Sequence, residues 1–200
     1  PLFQLVARTR SPELFMAACL LVIIGTAVTA AIQERAPGAE IMTVRVFHDA
    51  LRASPAALVA AIDWSVEAGV DIINLSLGST SPAHAAAFAP AVARAAGAGV
   101  LLVAARATEG QPCWPGALAP VLGVELDWAI PRGGYRVAGP AFLAAGYPRP
   151  IDGVPPRRNL YGVSFAVAQM SGIAARAGEY LRAARPDMDL ARAIPSFLAE

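Results

Sequence analysis

Beyond residue 40, short aliphatic runs alternate with segments in which apolar side chains recur every three or four positions. The runs lie at residues 41–46, 70–77, 100–105 and 121–124, and their β-branched and aliphatic composition predicts buried strands. Such strands separated by helices are typical of a parallel sheet covered on both faces. We therefore predict an α/β protein with right-handed crossovers, in which ligands gather at the carboxyl ends of the strands.

Two helix starts carry the same signal, a serine followed by proline at the first helical position. Ser54 begins a helix that should end at Gly69, and Ser81 begins one that should end near Gly97. Pro90 lies inside the second helix and should kink or split it, because it lacks the N–H that the helix needs.

The last third of the chain, from residue 139, differs in composition from the part before it. Residues 139–156 are rich in proline and glycine, which predicts an irregular loop. An apolar helix with many small side chains follows, and the tail from Pro186 is expected to form a short peripheral helix. The small residues should let the long helix pass close to a neighbouring sheet.

Composition narrows the function classes. The chain has 200 residues, 56% of them apolar, which suits one domain with a sizeable core. The net charge is +1 and no basic run is interleaved with aromatics, so we expect no nucleic-acid partner. Cys19 and Cys113 are far apart and the carboxylates do not cluster, so we expect no disulfide, metal or cofactor.

One apolar segment bears on localisation. Residues 14–32 carry no charge, and this length suits a buried helix, a single membrane span or a long signal-peptide core. We favour the buried helix, because the second half is rich in alanine, threonine and glycine. A cytoplasmic location is slightly favoured, a membrane partner is disfavoured, and the secreted and membrane-anchored alternatives stay open.

The candidate chemistry centres on Ser164, in the sequence YGVSFA at residues 161–166. A serine in the first turn of a helix lies beside unpaired backbone N–H groups and the positive end of the helix dipole. That position suits a nucleophile whose attack generates negative charge. The competing interpretation is that Ser164 simply caps the helix.

This motif resembles the Gly-Thr-Ser-Met-Ala serine motif of the subtilases, the subtilisin-like serine peptidases. Other blocks resemble the family in the same order along the chain. They are GTAV at 25–28, APGA at 36–39, DIINLSLG at 71–78, VAARATEG at 103–110 and PGA at 115–117. The block at 71–78 is the most specific of them, and the order of all of them makes a chance match improbable.

The resemblance implies a three-layer α/β/α sandwich with a mostly parallel sheet, subtilisin-like and shortened at the amino end. Residues 1–24 would be an atypical apolar segment, and residues 25–200 a single subtilisin-like domain. Phe165 and the runs SGIAA at 171–175 and CWP at 113–115 also resemble subtilase domains that mature ribosomal peptide natural products.

Subtilase catalysis uses a serine, a histidine that takes its proton, an aspartate that orients the histidine, and an oxyanion hole. By resemblance, Ser164 holds the nucleophile position, Ile24 the histidine position and Thr108 the oxyanion asparagine position. The chain has two histidines, His48 and His84, and we interpret both as ordinary surface residues. No aspartate precedes Arg45, so the Asp-bearing first strand of the family is absent or unrecognisable.

The missing histidine outweighs the altered oxyanion position. In subtilisin itself, losing an oxyanion donor costs about 10² to 10³ in rate, whereas losing the histidine costs about 10⁶. As printed, the chain should therefore not be a competent peptidase.

The family binds its substrate as an extended strand. By resemblance, Ser76, Leu77 and Gly78 would form one edge of the peptide site, and Ala104 and Ala105 a pocket wall. Strand addition uses backbone hydrogen bonds, so it needs no catalytic residue. Arg106 stands beside that wall in place of a small residue, and we interpret it as a solvated charge rather than a pocket block or an anchor for an acidic peptide end.

We therefore expect a subtilisin-like homologue that keeps the serine, lacks the triad histidine and aspartate, and binds a peptide or protein segment in extended conformation. An active endopeptidase whose printed amino end is incomplete or wrong is the alternative. A membrane-anchored protein with residues 14–32 as its anchor is a third hypothesis.

Overall fold

A computed structural model describes residues 25–47, 53–155 and 158–200. The helices are residues 25–35 (α1), Pro55–Glu67 (α2), Ala85–Gly97 (α3), Val163–Ala184 (α4) and Leu190–Ala199 (α5). The strands are Ile72–Leu75 (β1), Leu101–Ala105 (β2), Ala107–Thr108 (β3), Gln111–Pro112 (β4), Leu122–Leu126 (β5), Tyr135–Ala138 (β6) and Ala141–Ala144 (β7).

Five strands form one sheet in the order β1-β2-β5-β7-β6. β1, β2, β5 and β7 run parallel, and β6 pairs antiparallel with β7 at one edge. The carboxyl ends of the four parallel strands therefore meet at one edge of the sheet. The α/β prediction and the mostly parallel sheet are confirmed.

Alternating side chains of β2 supply two separate cores. Leu101, Val103 and Ala105 belong to the core shared with α4 and α5. Leu102 and Ala104 belong to the core shared with α2 and α3. Because every second residue of a strand faces the same way, one strand supports helices on both faces and the fold has three layers.

The long helix α4 is buried along most of its length, from Phe165 to Gly178. It approaches α1 closely at Gly172, where a β-carbon would lie 2.6 Å from the Arg35 Cβ and 2.8 Å from the Ile32 carbonyl oxygen. The small residues of α4 therefore allow close packing against helix α1 as well as against the sheet. The sequence predicted close packing only against the sheet.

The predicted strand at residues 41–46 is wrong. The segment has no regular secondary structure, and Met42 and Val44 are 52% and 41% exposed. A β-branched composition makes a segment competent to form a strand, but the strand exists only through a hydrogen-bonded neighbour. No described strand pairs with these residues.

The irregular loop predicted over residues 139–156 is also partly wrong, because β7 lies inside it. Gly139, at φ +57°, and Pro140 form the tight turn that joins β6 to β7. Pro90 does not split α3, which continues on both sides of it. The carbonyl of Ala86, which loses its partner at Pro90, belongs to an exposed residue where water can solvate it.

Helix α1 holds the described part of the apolar segment 14–32, and the rest of that segment lies outside the described residues. Within α1, Ala31 is buried while Gly25 and Ala30 are exposed. None of the helices among the described residues is long and apolar enough to cross a membrane. The peripheral helix predicted near the end of the chain is confirmed as α5.

We expect Gly116→Ala to lower the free energy of unfolding by at least about 2 kcal/mol. A β-carbon at Gly116 would overlap the Ala105 backbone carbonyl, and backbone cannot move aside as a flexible side chain can. Urea denaturation measures the change. Gly97→Ala is the matched control, since nothing lies within 4 Å of its β-carbon, and it should change stability by less than about 1 kcal/mol. Equal effects of the two substitutions would contradict this packing.

A second prediction concerns Glu34, whose carboxylate accepts hydrogen bonds from both terminal nitrogens of Arg132. This contact lowers the pKa of Glu34, although burial opposes the shift. A carboxyl with a lower pKa in the folded state stabilises the fold above its unfolded pKa of about 4.3 and loses that effect as the pH falls. Glu34→Gln should therefore cost about 1 kcal/mol at neutral pH and little at about pH 2.5.

The measurement is urea denaturation across that pH range. Glu179→Gln is the control, because Glu179 is exposed on α4 and forms no ion pair with the described residues. A pH-independent loss in the Glu34 variant would show that the ion pair does not link α1 to the 131–134 turn.

Candidate active site

Ser164 is the second residue of α4, at the edge of the sheet where the parallel strands end. Gly162 is the N-cap residue, with φ 148° and ψ 169°, a conformation that favours glycine. No side chain caps the helix. The interpretation of Ser164 as a simple helix cap is therefore wrong.

The hydroxyl of Ser164 instead makes a contact with the end of β1. It donates a hydrogen bond to the backbone carbonyl of Ser76 at 3.3 Å. The hydroxyl of Ser76 in turn donates to the backbone carbonyl of Ser164 at 3.2 Å. These reciprocal bonds fix the start of α4 against the segment that follows β1.

A polar chain continues from this pair into the interior. The Asn74 Nδ2 donates to Ser76 Oγ at 3.1 Å, and the hydroxyl of Ser171 donates to the Asn74 Oδ1 at 2.9 Å. Ser171 is 2% exposed and lies two turns along α4 from Ser164. Because a buried hydroxyl needs a partner, Asn74 is held in one orientation by both of its ends.

Leu77 and Gly78 carry the segment beyond this pair. Their backbone N–H and C=O groups make no hydrogen bond with the described part of the chain. The 78 position requires glycine, because a β-carbon there would lie 2.5 Å from the Cys113 Sγ and 2.8 Å from the Trp114 carbonyl oxygen. The segment therefore has backbone groups free to pair with an added strand.

Thr108 lies in a tight hairpin formed by β3 and β4. The turn residues Glu109 and Gly110 both have positive φ, 50° and 75°, as a two-residue type I′ turn requires. No hydrogen bond joins Thr108 to Ser164. The structure thus fixes the backbone at Thr108 but gives its hydroxyl no role in positioning the serine.

The proton acceptor that a nucleophilic serine needs is not supplied by the described residues. Ile24 and His48 lie outside them. The Nδ1 of His84 lies 2.7 Å from the hydroxyl of Ser79, and that hydroxyl also accepts from the Ser81 N–H. His84 is thus engaged in a local contact at the start of α3, away from the Ser164 hydroxyl.

Ala104 and Ala105 are 1% and 5% exposed, and their side chains lie in the two cores. Arg106 is neither fully solvated nor free, because its Nε lies 3.4 Å from the Glu125 carboxylate. Its Cβ and Cδ also pack close to Gly123. Glu125 on β5 therefore partly compensates the charge of Arg106.

Two features near Ser164 were not predicted from the sequence. Gln169 is fully buried in α4, accepts from the Gly133 N–H and donates to the carbonyls of Ala145 and Tyr147. Three aromatic rings, those of Trp128, Tyr147 and Tyr161, meet beside the loop that precedes α4. The buried Gln169 could have been noticed in the sequence, because it is a glutamine inside an otherwise apolar helix.

The site offers no metal ligands. Among the described residues, no three histidine, cysteine or carboxylate side chains lie close enough to hold an ion. Burial raises the pKa of the Cys113 thiol, which packs under Gly78 and is a poor candidate for a reactive thiolate.

Comparisons with known proteins agree on one family. The model of the Subtilase family matches residues 19–117. Subtilisin DY from Bacillus licheniformis is 32% identical over 76 residues, or 38% of this chain and 27% of the relative. A thermostable alkaline protease from Halalkalibacterium halodurans is 33% identical over 105 residues, or 52% of this chain and 28% of the relative.

Solved structures extend the similarity over most of the chain. The prenylagaramide maturation protease PagA shares 27% identity at a TM-score of 0.59, over 78% of this chain and 61% of that chain. The self-cleaved protease domain of PatA shares 27% identity at a TM-score of 0.55, over 72% and 60%.

The chain thus spans just over a quarter of the length of the curated relatives that it matches. The sequence similarity, the parallel sheet and the serine at the start of α4 lead to the same conclusion. The chain belongs to the subtilase family.

Proposed function

We propose that this protein is a subtilase homologue that binds an extended peptide and does not cleave it. The observation that carries the proposal is the hydrogen bond from the Ser164 hydroxyl to the Ser76 carbonyl. A carbonyl oxygen is far too weak a base to remove the serine proton, so the hydroxyl in this arrangement is a poor nucleophile.

Three further features support the loss of catalysis. Isoleucine occupies position 24, where the family resemblance places the histidine. His84 bonds Ser79 and not Ser164. Thr108 offers a short hydroxyl where the family has an asparagine amide. We propose that Ser164 survives for its structural contact with Ser76.

Peptide binding rests on a different set of groups. The backbone of Leu77 and Gly78 is free to pair, and Cys113 and Trp114 support that segment from behind. Strand addition draws its affinity from backbone hydrogen bonds. PagA and PatA are a maturation protease and a protease domain, so a segment of a precursor peptide is the ligand class we propose.

The alternative is an active endopeptidase whose base comes from residues that the printed amino end lacks. The retention of a serine at the amino end of a buried helix favours it, because the helix dipole there would stabilise developing negative charge.

A fluorophosphonate probe separates the two functions. We expect no labelling of the wild-type protein above the level of a Ser164→Ala variant, because the hydroxyl is bonded to the weakly basic Ser76 carbonyl and the described residues supply no stronger base. Gel fluorescence or intact mass measures the adduct, and an active subtilase treated in parallel controls for the probe.

Labelling that depends on Ser164 would instead support the endopeptidase. A Ser79→Ala variant, which removes the partner of His84, should behave like the wild type. Loss of labelling in that variant would place His84 in the mechanism and contradict the local role that we assign to it.

A second prediction tests the support of the peptide edge. Asn74→Ala removes the link between Ser171 and Ser76 and leaves the buried Ser171 hydroxyl without its partner. We expect unfolding free energy to fall by about 1–3 kcal/mol and peptide affinity to fall several-fold. Urea denaturation and fluorescence anisotropy of a labelled extended peptide measure these changes.

Ser171→Ala is the matched variant, because it removes the buried hydroxyl but leaves the bond from Asn74 to Ser76. It should alter peptide affinity less than Asn74→Ala does. The same peptide affinity in the Asn74→Ala variant and the wild type would show that the polar chain does not hold the edge.

A further inference from the structure

An exposed group of aromatic rings lies beside the candidate active site. We call Trp128, Tyr147 and Tyr161 the aromatic cluster. The ring centroid of Trp128 lies 4.7 Å from that of Tyr147 and 6.0 Å from that of Tyr161. Trp128 and Tyr161 are 48% and 63% exposed, so the cluster leaves large ring surfaces in water.

The cluster is assembled from three separate segments. Trp128 follows β5, Tyr147 follows β7, and Tyr161 precedes α4 by two residues. All three therefore lie at the carboxyl edge of the sheet, the same edge at which Ser76 follows β1.

The loops that carry the rings are fixed in place. The Gly162 N–H donates to the Gly146 carbonyl at 2.9 Å, which joins the segment of Tyr161 to that of Tyr147. The buried Gln169 amide donates to the carbonyls of Ala145 and Tyr147. Rings on a fixed backbone lose little entropy when a ligand covers them, so the cluster is suited to binding.

The loop that joins Tyr147 to Tyr161 carries positive charge. The Asn159 Nδ2 donates to the Arg149 carbonyl at 3.0 Å, and this bond brings Arg149 and Arg158 to neighbouring positions in the loop. Both arginines are exposed and neither forms an ion pair with the described residues, although the charge of Arg149 contributes to the lowered pKa of Glu34. Over residues 145–161 the sequence holds three arginines and one carboxylate, Asp152.

The spacing suits one extended peptide. Neighbouring strands are about 4.8 Å apart, so β5 and β7 end roughly 10 and 14 Å from β1 in the order β1-β2-β5-β7. An extended peptide advances about 3.3 Å per residue. A peptide that crosses the strand ends from Leu77 would therefore reach the aromatic cluster in three or four residues.

We propose that the aromatic cluster binds an aromatic side chain of the same peptide that pairs with the 76–78 segment, three or four residues along, with acidic residues next to it facing Arg149 and Arg158. This inference rests on the proposed function and names the chemistry of its ligand. The rings supply stacking and edge-to-face contacts, and the guanidinium groups attract carboxylates.

The test uses fluorescein-labelled peptides and the full chain. The parent peptide has four alanines, then Phe-Glu-Glu, and is capped at its carboxyl end. Three variant peptides are compared with it. In the first, Ala replaces the Phe; in the second, Lys replaces both Glu residues; in the third, the backbone nitrogens of the alanines are methylated. Anisotropy titrations give the dissociation constants for the wild type and for Tyr161→Ala, Trp128→Ala and Tyr180→Ala.

Tyr180→Ala is the matched control. Tyr180 is 65% exposed and stacks on Phe197 with centroids 5.7 Å apart, so it is also a surface ring paired with another ring. It lies about 24 Å further along α4 than Ser164, away from the carboxyl edge of the sheet. Near-UV circular dichroism checks that each variant keeps its fold.

We expect replacement of Phe by Ala to weaken binding to the wild type about tenfold. The same replacement should change binding to Tyr161→Ala or Trp128→Ala less than about twofold, and binding to Tyr180→Ala about tenfold again. Replacement of both Glu by Lys should weaken binding to the wild type several-fold, with a smaller effect in an Arg149→Gln, Arg158→Gln variant.

The outcomes separate this inference from the proposed function. Binding of the parent peptide that is indifferent to its Phe and to Tyr161 would overturn the role of the aromatic cluster while peptide binding stands. Phe-dependent binding that N-methylation leaves unchanged would support the aromatic cluster and overturn strand addition. Failure of every peptide to bind would overturn both.

Discussion

The burial of α4 against both the sheet and α1 is the constraint on which the rest of the structure depends. A helix enclosed in this way can carry only side chains that its neighbours leave room for. Gly172 allows α1 to cross, and the alanines around it allow the sheet to approach. The position of Ser164 follows from this packing, because the helix cannot slide or turn without creating a cavity or an overlap.

A short polar chain runs through this apolar packing. Ser171, Asn74, Ser76 and Ser164 connect the middle of α4 to its first turn by way of β1. Every member has a partner, so the chain aligns helix and strand without leaving a buried polar group unsatisfied. The peptide edge at Leu77 and Gly78 begins where that chain ends. Binding surface and helix start are thus parts of one hydrogen-bonded unit.

Local patterns along the chain identified most elements but not their pairing. The runs around β1, β2 and β5 are continuously apolar, and such runs predict buried strands wherever they occur. Residues 41–46 have the same composition and no strand beside them, which no local pattern reveals. β7 was hidden by the glycines and prolines on either side of it, although Gly139 and Pro140 form the turn that makes its pairing with β6 possible.

Some residues of the candidate site could likewise be predicted from the sequence, and others could not. Ser164 and the 76–78 segment were predicted because a family motif names them. The bond from Ser171 to Asn74 joins residues 97 positions apart, and only the fold brings them together. The same holds for the aromatic cluster, whose members come from three loops. The sequence shows that these aromatic residues are present, but whether their rings come into contact depends on which strands are neighbours in the sheet.

The carbonyl of Ser76 bears on how a bound strand would meet helix α4. It already receives the Ser164 hydroxyl, and it belongs to the same short stretch of backbone that an incoming strand would meet. A carbonyl oxygen has two lone pairs, so a peptide N–H arriving there would bond to the second while the Ser164 hydroxyl keeps the first. One oxygen atom would then join the bound strand to the first turn of α4.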